Sequence, residues 1–203
     1  MPAVSEIAVR PATPAETPIV SDVLARAFAS DPVLTSLMRD TPDRTARMAR
    51  YFELECRLSF RGNGEVWVDE EMRGAAIWRS PGRYPEPLGD QLRMLPHYLR
   101  LFPREFLHAS RAINVLARAH PREPHWYLFA VGVVPGSQGE GRGGALIRPI
   151  LERCDTEGAP AYTEASSADN ARLYARLGFE LVSELEIPGG VTVRRMWRDP
   201  RGA

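Results

Sequence analysis

Four glycines stand within six residues, Gly139, Gly141, Gly143 and Gly144, just after an apolar run that ends near Val134. Loops commonly carry one or two glycines. Four so close together cost much backbone entropy on ordering, so a bound group should compensate. The chemistry such a run offers is anion binding. Glycine lets the main chain approach closely, and the free N–H groups at the start of a following helix, with the helix dipole behind them, favour a phosphate. Gly139, Gly141 and Gly144 also satisfy G-x-G-x-x-G, with Glu164 near the distance at which a dinucleotide fold places its ribose-binding acid. Against that alternative, Pro135, Gly136, Ser137 and Gln138 separate the strand from the glycines. Fewer than about 60 residues follow, too few for half of a doubly wound sheet.

Other chemistry-bearing residues are sparser. Asn170 and Tyr174 are four apart and share a helix face, while Leu173 and Leu177 share the adjacent one and can pack inward. His97, His108, His120 and His125 show no HxxxH or HxH spacing, so no metal site is expected. Cys56 and Cys154 sit on no motif and read as buried small hydrophobes rather than a disulfide or a nucleophile.

The elements that must position these residues follow from periodicity. IAVR alternates like a short strand, and Thr13 before Pro14 marks a helix start. Ile19, Val23, Leu24 and Ala27 then share one face. Residues 43–61 read as a second helix, with Met48, Phe52, Leu54 and Leu58 inside and arginine and glutamate outside. EVWVDE and GAAIWRS form a hairpin across Glu70–Arg73. Two leucine- and arginine-rich helical segments, 88–101 and 104–119, are punctuated by Pro96 and Pro103. HWYLFAVGVV is a buried strand, and a helix with Leu146, Ile147, Ile150, Leu151 and Cys154 follows and closes at Gly158. Pro149 inside it predicts a kink or a shifted start. AYTEA is a strand, ADNARLYARLG a helix closed by Gly178, and FELVSELEI with TVRRMW a terminal strand pair.

Composition bounds the rest. The 203 residues suit one domain spanning 1–203, with 44% apolar and 26% charged residues. The 26 basic residues, all arginine, balance 26 acidic ones, so no sequence-independent attraction to nucleic acid or a membrane surface is expected. The N-terminal stretch lacks a signal pattern and no run is long enough to span a membrane, which reads as cytoplasmic.

A family resemblance joins two of these segments. Val133, Pro135, Gln138, Gly139, Gly141 and Gly143 stand in a pattern, V-x-P-x-x-Q-G-x-G-x-G, that resembles the coenzyme A pyrophosphate loop of the GCN5-related N-acetyltransferases. Asn170, Tyr174, Gly178 and Phe179 match that family's N-x-x-x-Y-x-x-x-G-F segment, in the right order and at the expected distance. Residues 121–203 are most similar to the puromycin N-acetyltransferase type of antibiotic-modifying enzymes. The first 80 residues fit the fold in outline, and 81–120 match nothing usable.

The resemblance implies an α/β acyl-CoA N-acyltransferase fold: a mixed, mostly antiparallel sheet flanked by helices, in which the strand ending near Val134 splays from the strand at Ala161–Ala165. It implies acetyl-CoA as co-substrate, its pantetheine arm on the main chain of Val131, Gly132 and Val133, and its pyrophosphate on Gln138, Gly139, Glu140, Gly141, Arg142, Gly143 and Gly144. Tyr174 would be the general acid, since a phenol stays protonated at neutral pH and suits a departing thiolate. Glu164 would be the general base or a substrate-orienting carboxylate. Some family members use water chains instead, and Glu123 and His125 are further candidates. Asn170 would orient the pantetheine or cap its helix, with Asp169 competing for the cap. Residues 81–120 would cover an acceptor pocket with Trp67, Trp78 and Trp126 in its lining or, alternatively, in the core. The acceptor would be the primary amine of a small molecule or an aminoacyl-nucleoside antibiotic, and a homodimer is left open. A non-catalytic acyl-CoA sensor and an NAD-dependent oxidoreductase are the rival functions.

Overall fold

Residues 7–202 are described by a computed structural model. The strands are β1 (Val9–Pro11), β2 (Gly64–Asp69), β3 (Gly74–Arg79), β4 (Trp126–Val133), β5 (Ala161–Ala165), β6 (Glu180–Ile187) and β7 (Val191–Arg198). They form one seven-stranded sheet in the order β1-β2-β3-β4-β5-β7-β6. The β4–β5 pair is parallel and the other pairs are antiparallel. This mixed, mostly antiparallel sheet is the one the resemblance implies and leaves no place for a doubly wound dinucleotide fold, whose sheet is mostly parallel.

Helices cover both faces. On one lie α1 (Thr17–Ala27), α2 (Pro32–Leu37), α3 (Arg44–Leu58), α4 (Leu88–Leu101) and α5 (Phe106–Ala119). They share a core that includes Leu24, Met48, Phe52, Ile77 and Ala130. On the other lies α6 (Arg142–Glu157), whose Leu146, Ile147, Ile150 and Leu151 pack on Trp78, Trp126 and Leu128. A short helix, α7 (Ala168–Arg176), follows β5 and is closed by Gly178 at φ 93°. Apolar burial on both faces explains why β3 and β4 read as continuous apolar runs rather than alternating ones.

Several expectations are corrected. Ile19 is exposed, because the buried stripe of α1 is set by Val20, Val23 and Leu24. The second helix ends at Leu58 and passes into a wider turn over Ser59–Asn63. Its glutamates and arginines are not all outside, since Glu55 and Arg47 are buried. α2 was unforeseen: Asp31 caps it, its Oδ1 accepting from the Leu34 N–H at 3.0 Å, with Pro32 in the first turn. Pro96 lies inside an unbroken α4, on an exposed face where water reaches the carbonyl it leaves unpaired. Pro149 does not shift the start of α6, which begins at Arg142.

Candidate active site

The sheet opens where the sequence implied. β4 and β5 pair only over Trp126–Leu128 and Ala161–Thr163, and beyond Leu128 the strands part. A bulge in β4 at Phe129, between the partners of Ile77 and Trp78, reverses which amides face the opening. Before the bulge the even-numbered groups face β5: the Trp126 N–H donates to the Pro160 carbonyl, and the Leu128 carbonyl accepts from Thr163 Oγ1 at 3.1 Å. After it the Val134 N–H donates across β3 to the Arg73 carbonyl at 2.8 Å. Alternation then turns the main chain of Val131 and Val133 into the gap and that of Gly132 toward β3. The absence of a side chain on Gly132 serves packing: a Cβ there would stand 2.6 Å from the Ala27 Cβ of α1.

The glycine loop leads from this edge to α6. Gly136, Gly139 and Gly141 have φ values of 91°, 82° and 89°, which L side chains resist, so this path needs glycine. Among the described residues, the N–H groups of residues 138–144 find no protein acceptor. Seven consecutive amides therefore precede or begin a sixteen-residue helix with the positive end of its dipole toward them. A diphosphate fits that arrangement. A Cβ on Gly143 would meet Leu173 of α7 at 3.4 Å, so the loop lies against the helix that carries Tyr174. Gln138 turns back, its Nε2 donating to the Val133 carbonyl at 3.2 Å. Arg142 is neither free nor solvated. It bridges Glu140, Asp69 and Glu71 at 2.8, 3.2 and 2.9 Å and ties the loop to the β2–β3 turn.

Across the gap, Tyr174 is buried and burial raises its phenol above the ordinary range, keeping it protonated. Asn170, one turn earlier, does not cap its helix, and neither does Asp169. Ser167 does, accepting from the Asn170 N–H at 3.2 Å. The Asn170 amide instead donates to Ser166 Oγ at 3.1 Å, and Ser166 donates to Asp31. Glu164 lies at the end of β5 among aromatic rings. It accepts from the hydroxyls of Tyr162 at 2.9 Å and Tyr127 at 3.2 Å. Burial raises its carboxyl above the usual range, opposed by those two phenols and by Arg195.

These side chains line a cavity of about 460 Å³ bounded by the gap on one side and by α4 and α5 on the other. Its lining holds five carboxylates, Asp31, Glu55, Glu86, Asp90 and Glu164, and no arginine or histidine. Glu55 of α3 is the second deeply buried one. It pairs with Arg79 of β3, which has no exposed surface, and accepts from the Tyr98 hydroxyl at 2.8 Å. Burial pushes its carboxyl up to about 7. Trp67, Trp78 and Trp126 line none of this cavity. Trp78 and Trp126 belong to the core under α6, and Trp67 packs against it. His125 pairs with His120 behind Glu164, and Glu123 is exposed. Both cysteines are buried, their thiols pushed up to about 12 by desolvation.

Comparison with known proteins agrees with this fold. Residues 98–179 match the family model described as the acetyltransferase (GNAT) family. The chain is 30% identical, over 167 residues, to an uncharacterised N-acetyltransferase of Schizosaccharomyces pombe, covering 77% of this chain and 67% of that protein. A crystal structure described as histone acetyltransferase HPA2 and related acetyltransferase from Corynebacterium glutamicum superposes with a TM-score of 0.76 at 28% identity, covering 98% of both chains. Arylalkylamine N-acetyltransferase 2 from Aedes aegypti, at 15% identity, shares the fold with a TM-score of 0.65 over 97% of this chain and all of its own. An agmatine N-acetyltransferase, at 18% identity, does so with a TM-score of 0.61 over 96% of this chain and all of its own.

Proposed function

The chain belongs to the GCN5-related N-acetyltransferase family and is an acyltransferase, and from that premise we propose that it acetylates the primary amine of a small molecule by direct transfer from acetyl-CoA. Acetyl-CoA, the co-substrate of this family, would supply a thioester carbonyl at the β4 edge. The amides of residues 138–144 hold the pyrophosphate, and the main chain of Val131 and Val133 holds the pantetheine arm and the carbonyl oxygen. Asn170, fixed by Ser166 and Asp31, orients that arm beside Tyr174. Glu164 takes the proton from the incoming ammonium, and Tyr174 protonates the leaving thiolate. No cysteine intervenes, because both thiols are buried and held protonated.

The observation that carries this reading is the run of seven unpaired amides against the helix of Tyr174. A sensor would need the amides but not a buried phenol and a buried carboxylate on the lining of one cavity. The acceptor class is supported by one carboxylate of the cavity: Glu55 and Glu86 are answered by Arg79 and Asp90 by Arg93, whereas Glu164 accepts from two phenols and would favour an ammonium. Residues 1–203 act as one unit, with 81–120 supplying the acceptor wall through α4 and α5. The antibiotic acceptor implied by the resemblance of residues 121–203 is one member of this class.

The test is thiol release from acetyl-CoA over a panel holding an arylalkylamine, agmatine, puromycin and a lysine-containing peptide. Turnover of a small amine, lost about a hundredfold in Tyr174→Phe with unchanged acetyl-CoA affinity, is expected. Turnover of the peptide alone would overturn the acceptor class, and full activity in Tyr174→Phe would overturn the acid.

A further inference from the structure

Two buried histidines have no part in the proposed reaction, yet their hydrogen bonds fix their protons. His125 Nδ1 lies 2.6 Å from the Glu123 carbonyl oxygen, which can only accept, so neutral His125 carries its proton on Nδ1 and presents a bare Nε2. His120 Nε2 lies 3.0 Å from that nitrogen and must donate to it. His120 is thereby held in the Nε2–H tautomer, and its Nδ1 is a bare acceptor. That nitrogen is buried, has no hydrogen-bond partner, and faces Glu164 Oε1 at 4.0 Å, with the His120 side chain 2% exposed. The contact is longer than a hydrogen bond, and a small rotation of the Glu164 side chain would close it.

We propose that His120 is a positioning residue for Glu164: locked by His125 and the Glu123 carbonyl, its bare Nδ1 accepts from the protonated carboxyl and so strengthens Glu164 as a proton acceptor. This rests on Glu164 being the base. A lone pair facing a carboxylate disfavours the ionised form, and the same lone pair gives the protonated form a partner, so both effects act in one direction. The other charged or titratable groups around the pair are Tyr84 from the loop before α4, Tyr127 from β4, Tyr162 from β5 and Arg195 from β7. The three phenols are all held protonated by burial, and the Tyr127 and Tyr162 hydroxyls donate to Glu164. Arg195 favours the ionised carboxylate and so opposes His120. His120 itself does not compete for the proton, because burial, then His125 and Arg195, hold its ring down to about 3. No bond other than O–H and N–H is made or broken, and no electron changes hands.

The test needs no acceptor. Nitrogen NMR of histidine-labelled protein at pH 7 should show His120 protonated on Nε2 and His125 on Nδ1. An Nδ1–H form of His120 would overturn the proposal without any variant. The Glu164 carboxyl, followed by carbon NMR, should titrate about one pH unit lower in His120→Phe, the worth of one hydrogen bond. In His125→Gln, whose carbonyl can still accept from His120 Nε2, it should not move. An unmoved titration in His120→Phe overturns the proposal. Full acetylation by Glu164→Gln would instead remove Glu164 as the base, and the inference with it. In kinetics, His120→Phe should lower kcat near pH 7 with an unchanged KM for acetyl-CoA, and a parallel loss of both would mark a merely structural role.

Discussion

Glu55 and Glu164 are buried carboxylates on the lining of one cavity, both raised above the usual range by burial, yet their surroundings differ in kind. Glu55 faces a fully buried guanidinium and the Tyr98 hydroxyl, with Glu86 3.6 Å from the same Arg79. Its charge is answered by protein. Glu164 has two phenols and a bare imidazole nitrogen, and its nearest cation, Arg195, hydrogen-bonds to the Tyr162 hydroxyl rather than to the carboxylate itself. Its charge is answered by dipoles in contact and by Arg195 only at a distance. A carboxylate already paired with a cation gains little from an ammonium, whereas one held by dipoles gains a proton or a cation readily. The difference separates the residue that holds the cavity wall from the one proposed to do chemistry in it.

Breaking the pairs should therefore have unlike consequences. Glu55→Ala leaves the buried Arg79 with only the more distant Glu86 as counter-charge and is expected to cost about 3 kcal/mol of stability, measured by urea denaturation. Glu164→Gln keeps the shape and an acceptor for one of the two phenols and should cost little stability, while lowering acetylation about a hundredfold. If Glu164→Gln unfolds the protein and Glu55→Ala does not, the two roles are reversed.

The pH dependence of stability sharpens the same contrast. The folded-state value of Glu55, about 7, lies above its ordinary value of 4.5, so its stabilising share is complete below about 4.5 and is lost as pH rises toward 7. His120 and His125 are both lowered, so their share is complete above about 6.5 and is lost as pH falls. The two trends oppose each other between pH 5 and 7. In Glu55→Gln its opposing share is gone while the other groups keep theirs, so its Tm should fall more steeply than that of the wild type from pH 7 to 5. Equal slopes by calorimetry would show that Glu55 does not titrate in this window. The smallest expected effect concerns the thiols: Cys56 and Cys154 should resist alkylation at pH 8 until the protein is unfolded, as mass spectrometry would show.

The two segments proposed to hold the cofactor were legible in the sequence because each is local. Gly139–Gly144 and Asn170–Tyr174 each lie within one short segment, where spacing along the chain is spacing in space. The strand that leads into the loop could be read from its apolar run, whereas the parting of β4 from β5 came only with the family resemblance. The acceptor half was not legible. Glu55 meets Arg79 across 24 positions, and Asp31 meets Ser166 across 135, contacts that only the sheet order creates. Glu55 reads as a solvent-facing residue of an amphipathic helix until β3 brings a guanidinium to it. The bulge at Phe129, which turns Val131 and Val133 into the gap, carries no glycine to announce it. His120 and His125 lack metal spacing, and their partnership depends on the chain turning between α5 and β4. The tryptophans were the opposite case, for their size already favoured the core in which Trp78 and Trp126 lie.

The proposed grip of the free amides of residues 138–144 on a diphosphate underlies every other role in the site. It is tested most directly by calorimetric titration with coenzyme A and with pantetheine, which shares the thiol arm but lacks the diphosphate. Coenzyme A should bind at least about a hundredfold more tightly, the worth of a few charge-assisted hydrogen bonds. Equal affinity for the two would contradict it.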